Sequence, residues 1–169
     1  MNPEVRVLLD RANARRLSLL GLVAVVPDDF WPRREGADSW TAHEHLAHVA
    51  TADRLLLETI SHEAAGSYEA RRAALLEAAT EKPIPDLVAS MEWEREHLAG
   101  SLKHLSTTTL DGYITAGVRD AWGREATWPV RALLAAWSEH DTGHELAIRR
   151  AVTAPPDASA LSAAARRRR

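Results

Sequence analysis

The segment of this chain best equipped for chemistry is Trp137-Ser138-Glu139-His140-Asp141-Thr142-Gly143-His144-Glu145. Histidines four residues apart stand one turn above each other on a helix, so both imidazoles can grip one divalent cation. At about 100° per residue they share a stripe with Val130, Leu133, Trp137, Ala147, Ile148 and Ala151, which predicts that both rings lie in the middle of the buried face. A single histidine on such a face is ordinarily a satisfied core residue. Two stacked there each need a partner once desolvated. The chain has 8 His and no Cys, so a transition-metal site must use imidazoles and carboxylates. Disulfides, thiolate ligands and a protein thiol nucleophile are excluded. Any sulfur chemistry needs a thiol supplied by a second substrate.

The pair also resembles the zinc-protease motif H-E-x-x-H, with Asp141 in the Glu position. Those enzymes usually take their third ligand from downstream. Beyond Glu145 this chain has no His and no Glu, only Asp157, so a protease of that kind is rejected and the third ligand must come from upstream. The donor segment is His43-Glu44-His45-Leu46-Ala47-His48. Its helix has a core stripe through His45, Val49, Ala52 and Leu56, with His48 flanked by Ala52 and Leu55. His43 falls on the far side and is expected in solvent. Periodicity alone leaves both His45 and His48 open.

Four long amphipathic patterns must position these residues. The first covers residues 4–25, with Val5, Leu9, Ala12, Leu19 and Val23 on one face. The second starts at Thr41, where Thr41 and Glu44 form an S/T-x-x-E capping box, and runs to about His62. A shorter helical stretch over 68–81 connects it to the third, which starts at Pro85 and shows Leu87, Met91, Leu98, Leu102 and Leu105 on its apolar face. Residues 106–126 read as irregular, and 113–122 fit either a loop or a small hairpin. The last helix is predicted from Thr127 to about Val152, ended by Pro155-Pro156. The expected architecture is all-α, a four-helix bundle over residues 1–153, with a short extra helix and an irregular segment before the last long helix. Residues 154–169, Ala-rich and ending in Arg166 to Arg169, are expected to form a disordered tail.

The 169 residues, 46% hydrophobic and 27% charged with net charge −3, suit one globular domain. That charge gives no general attraction to nucleic acid or an acidic membrane, and the terminal arginines are weak evidence for either. The charged N-terminal stretch is not a signal peptide. The longest apolar run, residues 17–26, contains Ser18 and Gly21 and falls short of the roughly 20 residues a membrane span needs. A cytoplasmic location is expected, with a small-molecule substrate and neither nucleic acid nor membrane as partner.

Trp40-Thr41-x-x-Glu44-x-x-x-His48, followed by His140-x-x-x-His144 late in the last helix, resembles the DinB/YfiT-like superfamily of bacterial metal-binding four-helix bundles. The resemblance runs over residues 4–152. Thr41 stands where the family pattern usually has Ser, a mild change. The resemblance implies that His48, His140 and His144 bind the metal. It also implies thiol-dependent S-transfer or isomerisation as the activity class, and a possible homodimer, although many members have no assigned activity.

Three imidazoles leave a divalent ion charged and with an open coordination position, which is the catalytic arrangement. Zinc and nickel both suit it. The favoured expectation is an enzyme that transfers a low-molecular-weight thiol to an electrophilic small molecule. The alternatives are a metal-dependent hydrolase acting on an amide or ester, and a non-catalytic metal-binding bundle. Glu44, one turn before His48, could orient that ring, although its capping role explains it equally well. Trp137 shares the stripe of His140 and is expected to wall a pocket. Glu94 and Arg16 both fall on apolar faces. An Arg16–Glu94 ion pair is favoured, with Glu94 as general base near the metal the alternative. His45, His62, His97 and His104 carry no assigned chemistry, and most are expected at the surface or the edge of the core.

Overall fold

The structure is a computed structural model that describes residues 1–61, 68–119 and 125–154. Helix α1 spans Pro3–Val23. Its start is fixed by the Asn2 side chain, which accepts a hydrogen bond from the Glu4 N–H at 2.9 Å, and by a proline where no backbone donor is missed. Helix α2 spans Ala42–Ile60. The Glu44 N–H donates to the Thr41 hydroxyl oxygen at 3.1 Å and the Thr41 N–H to the Glu44 carboxylate at 2.6 Å, the reciprocal bonds of a capping box. Helix α3 is Tyr68–Thr80, α4 is Ile84–Leu102 with Pro85 in its first turn, α5 is the single turn Thr107–Leu110, and α6 is Val130–Thr153.

The segment left open between loop and hairpin is an antiparallel hairpin of β1, Tyr113–Arg119, and β2, Glu125–Pro129. The last helix therefore starts three residues later than expected from Thr127. Thr127 pairs with Thr115 and Trp128 with Ile114, a cross-strand arrangement suited to β-branched and aromatic side chains. Trp128 precedes a proline, which disfavours helical backbone there. His62, Trp122, Pro155, Pro156 and the terminal arginines lie outside the described residues, as does the expected tail beyond Ala154. Among the described residues no helix is long and apolar enough to cross a membrane.

The bundle is built by α1 against α6 and by α2 against both α4 and α6, with α3 laid on α2. Its apolar core falls into two parts. One gathers Leu19, Leu46, Leu87, Met91 and Ile148; the other gathers Val5, Leu56, Leu98, Leu102, Leu134 and Trp137. Between them the four long helices bring together the buried charges Arg16, Asp53, Arg95 and Asp141, with Glu94 a further buried charge on α4. Arg16 Nε lies 2.6 Å from Asp141 Oδ2 and Arg95 Nε 2.8 Å from Asp53 Oδ2, while Arg16 Nη2 reaches Asp53 at 3.3 Å. The remaining donors are used as well. Arg16 Nη1 donates to the Met91 carbonyl at 3.1 Å and Arg95 Nη1 to Asn13 Oδ1 at 3.1 Å. The Trp137 indole N–H donates to Asp53 Oδ1 at 2.7 Å. Two positive and two negative groups with their hydrogen bonds filled can tolerate burial that none could tolerate alone.

This layer corrects two expectations. Arg16 does not pair with Glu94, because Asp141 and Asp53 occupy its guanidinium. Glu94 instead sits 3.9 Å from Arg54 Nη1, in a cleft with Thr51, Lys82 and Ser90. The buried stripe of α6 also centres on Asp141, through Leu134, Trp137, Ser138 and Ile148. His140 and His144 are half-buried at its edge, not in its middle.

Asp53→Ala leaves two guanidiniums buried against a single carboxylate and is expected to cost about 3–5 kcal/mol. Glu94→Gln removes only a long contact to a half-exposed arginine and should cost less than about 1 kcal/mol. Urea midpoints of the two variants check both, and a reversed order would refute this assignment of partners.

Candidate metal centre

The capping box fixes where α2 begins, and the packing of α2 on α6 sets its second turn opposite the middle of α6. His48 from α2 thereby meets His140 and His144. Their ring centroids are 5.0 Å (His48–His140), 4.8 Å (His48–His144) and 4.6 Å (His140–His144) apart. One nitrogen from each lies within 4.8 Å of the others, so the three could hold a metal ion. His48 Nε2 and His140 Nε2 are 3.1 Å apart. Two imidazole nitrogens bound tetrahedrally at 2.0–2.1 Å from one zinc would be about 3.3 Å apart, so the observed convergence matches a shared cation.

Burial holds two of these rings, His48 and His144, in the neutral form. Desolvation, reinforced by the neighbouring His140, brings the His48 imidazole down from 6.5 to about 4. Desolvation, with His140 and His48 beside it, brings His144 to about 3. At neutral pH each of these two rings therefore keeps one unprotonated nitrogen, whose lone pair is free for a cation. Asp141 behaves in the opposite sense. Burial alone would raise its carboxyl, but the adjacent His140 ring and the Arg16 guanidinium outweigh that and hold it at about 2. A full negative charge thus stands 3.6 Å from His140 Nδ1. That nitrogen and His48 Nδ1 are buried without a hydrogen-bond partner among the described residues.

His45, the other candidate that periodicity left open, belongs to the same cluster in a different role. Its Nδ1 lies 3.0 Å from His144 Nδ1. His144 therefore presents Nε2 to the centre, and a proton on its Nδ1 would be donated to His45. Trp40 covers the group, with its ring 5.3 Å from His48, 5.4 Å from His45 and stacked at 19° over His144. The i, i+3 spacing of His45 and His48 was the signal that both face one way.

The remaining candidates separate. Trp137 lies beside the centre, lining one pocket together with His48 and His140. Glu44 is engaged with Thr41 in the capping box, so its carboxylate is placed for capping. Glu94 lines the other cleft, away from the triad. His43 is half-buried instead of solvated, its Nε2–H donating to the Lys82 carbonyl at 2.9 Å. His97 meets the Trp93 carbonyl through Nδ1 at 2.8 Å, and His104 is exposed.

The depressed histidines give a pH dependence of definite sign. Below 6.5 the unfolded chain takes up protons that folded His48 and His144 refuse, so acid favours unfolding. The metal-free protein should lose stability steadily as pH falls from 6.5 toward 4 and 3, and show no such slope above pH 7. A His48→Gln, His144→Gln variant should flatten that loss. Urea midpoints in the presence of a chelator measure it, and equal slopes in both proteins would contradict the burial argument.

No curated protein matches the sequence. Residues 11–148 match the DinB superfamily, a span that takes in parts of α1 and α6, all of α2 to β2, and the three clustered histidines. With its helical bundle and this match over most of its length, the chain belongs to the DinB superfamily.

Proposed function

We propose that His48, His140 and His144 hold a divalent ion, zinc or nickel, and that the site activates a low-molecular-weight thiol for transfer to an electrophilic small molecule. The observation that carries this reading is the convergence of three imidazoles beside an apolar pocket. Neutral ligands leave an ion's charge uncompensated and a coordination position open, which lowers the pKa of a thiol or water bound there.

The protein's own residues prepare that position. His45 fixes which nitrogen His144 presents, through the 3.0 Å contact between their Nδ1 atoms. The Asp141 carboxylate beside His140 makes that ring a better donor to a cation. Trp40 shields the cluster on one side, and Trp137, its N–H committed to Asp53, turns an apolar face to the pocket. A chain with no cysteine has no thiol of its own to compete for the open position.

Elemental analysis of the purified protein beside a His140→Ala, His144→Ala variant tests the metal. Near-stoichiometric ion in the parent and its loss in the variant are expected. A conjugation assay with a panel of small thiols then tests the reaction: product should require the thiol. Turnover without thiol would replace transfer with hydrolysis, and bound metal with neither activity would leave a non-catalytic site.

His45→Ala should weaken metal affinity about 10- to 100-fold, the usual effect of losing a residue that orients a ligand. Competition with a chelator measures it, and His45→Gln, which can still accept a hydrogen bond, should recover part of the loss. An unchanged affinity in His45→Ala would remove His45 from the site.

A further inference from the structure

Beside the histidines, between α2 and α6, lies a pocket of about 190 Å³. Its walls are Leu55 and Leu56 from α2, Leu133 and Ala136 from α6, and the ring of Trp137. Most of its polar groups are already engaged. The Thr59 hydroxyl donates to the Leu55 carbonyl at 2.5 Å, and the Trp137 N–H to Asp53 at 2.7 Å. The hydrogen-bonding groups left are the imidazoles at one end and the Tyr68 hydroxyl, whose ring packs edge-on against Trp128 at 5.2 Å.

No Asp, Glu, Lys or Arg among the described residues lines this space. The cation that acts on His48 from nearby, Arg72, is paired with Glu69 at 2.9 Å. An ionised group entering the pocket would lose its water and gain no opposite charge. Apolar surface entering it would gain a close-packed wall. The size is equally selective, since an apolar cavity of about 150 Å³ is enough to hold benzene.

We propose that this pocket binds the body of the site's small-molecule ligand, and that this body is an uncharged, benzene-sized ring whose polar, reactive atom points to the His48–His140 end. The direction of the reactive atom rests on the metal reading above. The preference for a neutral ring does not, and the two can fail separately.

Fluorobenzene and 4-fluorobenzoate, followed by fluorine NMR on the full-length protein with and without added zinc, provide the test. Fluorobenzene should bind the metal-free protein at least tenfold more tightly than fluorobenzoate. Ala136→Leu, at an exposed position of α6, should fill the pocket and weaken fluorobenzene at least tenfold while leaving zinc content unchanged. Ala52→Leu should repeat the effect from the α2 wall. With zinc bound, benzyl mercaptan should displace fluorobenzene at least tenfold more effectively than it does without zinc. Equal binding of fluorobenzoate, or fluorobenzene binding that neither leucine alters, would overturn the neutral-ring pocket even if zinc binds. Ring binding in a protein that takes up no zinc would support the pocket and refute the metal reading and the orientation that rests on it.

Discussion

The arrangement on which the rest of this structure depends is the buried layer of Arg16, Asp53, Arg95 and Asp141. Apolar packing is tolerant of sliding, because one leucine surface accepts another. A layer of four charges is not. Moving any one helix by a turn would set a guanidinium or a carboxylate against aliphatic side chains, stripped of water and without a partner. The layer adds little net stability by itself, since desolvating four ions offsets most of their attraction. Its effect is to make one register of the four helices much better than its neighbours.

That register places the site. Asp141 must point inward to meet Arg16 at 2.6 Å. With about 100° between successive residues, His140 then lies about 100° and His144 about 60° to the same side of it. Both therefore emerge at the edge of the α6–α2 seam, where His48 comes from the other helix. The same inward turn puts a carboxylate 3.6 Å from His140 Nδ1. Asp53 anchors the indole of Trp137 and so fixes the wall of the adjoining pocket. The charged layer and the histidine cluster are thus one construction, in which ionic groups are confined to the core and the imidazoles stand beside it.

Local features of the fold were legible in the sequence, and features that depend on which helix meets which were not. The capping box at Thr41 and Glu44, Pro85 in the first turn of α4 and the helical i, i+4 spacing of His140 and His144 are all read within one turn, and each stands in the structure. Arg16 was recognisable as a charge on an apolar face, but its partner was misassigned to Glu94. The true partners, Asp53 and Asp141, stand on α2 and α6, and no pattern within one helix says which charge of another helix its inward face will meet. For the same reason the centre of the α6 stripe was read as His140 when it is Asp141. On α2 the choice between His45 and His48 could not be made from spacing, because a helix packed on α3, α4 and α6 has no single buried stripe. Residues 127–129 misled in another way: a proline that could open a helix here closes a strand.

The elements that looked like connections have their own part in the site. A bundle of α1, α2, α4 and α6 would present the α2–α6 seam as an open groove beside the histidines. Tyr68 at the start of α3 stands over that groove, and its edge-on contact with Trp128 ties it to β2. Trp128 is in turn paired across the hairpin with the buried Ile114. The ring that closes the pocket is therefore held by a strand pair and not by the long helices. The bundle places the histidines through its charged layer, whereas Tyr68 on the far wall is tied to the hairpin through Trp128. Such a division separates the framework that places the histidines from the contact that holds Tyr68 on the pocket wall.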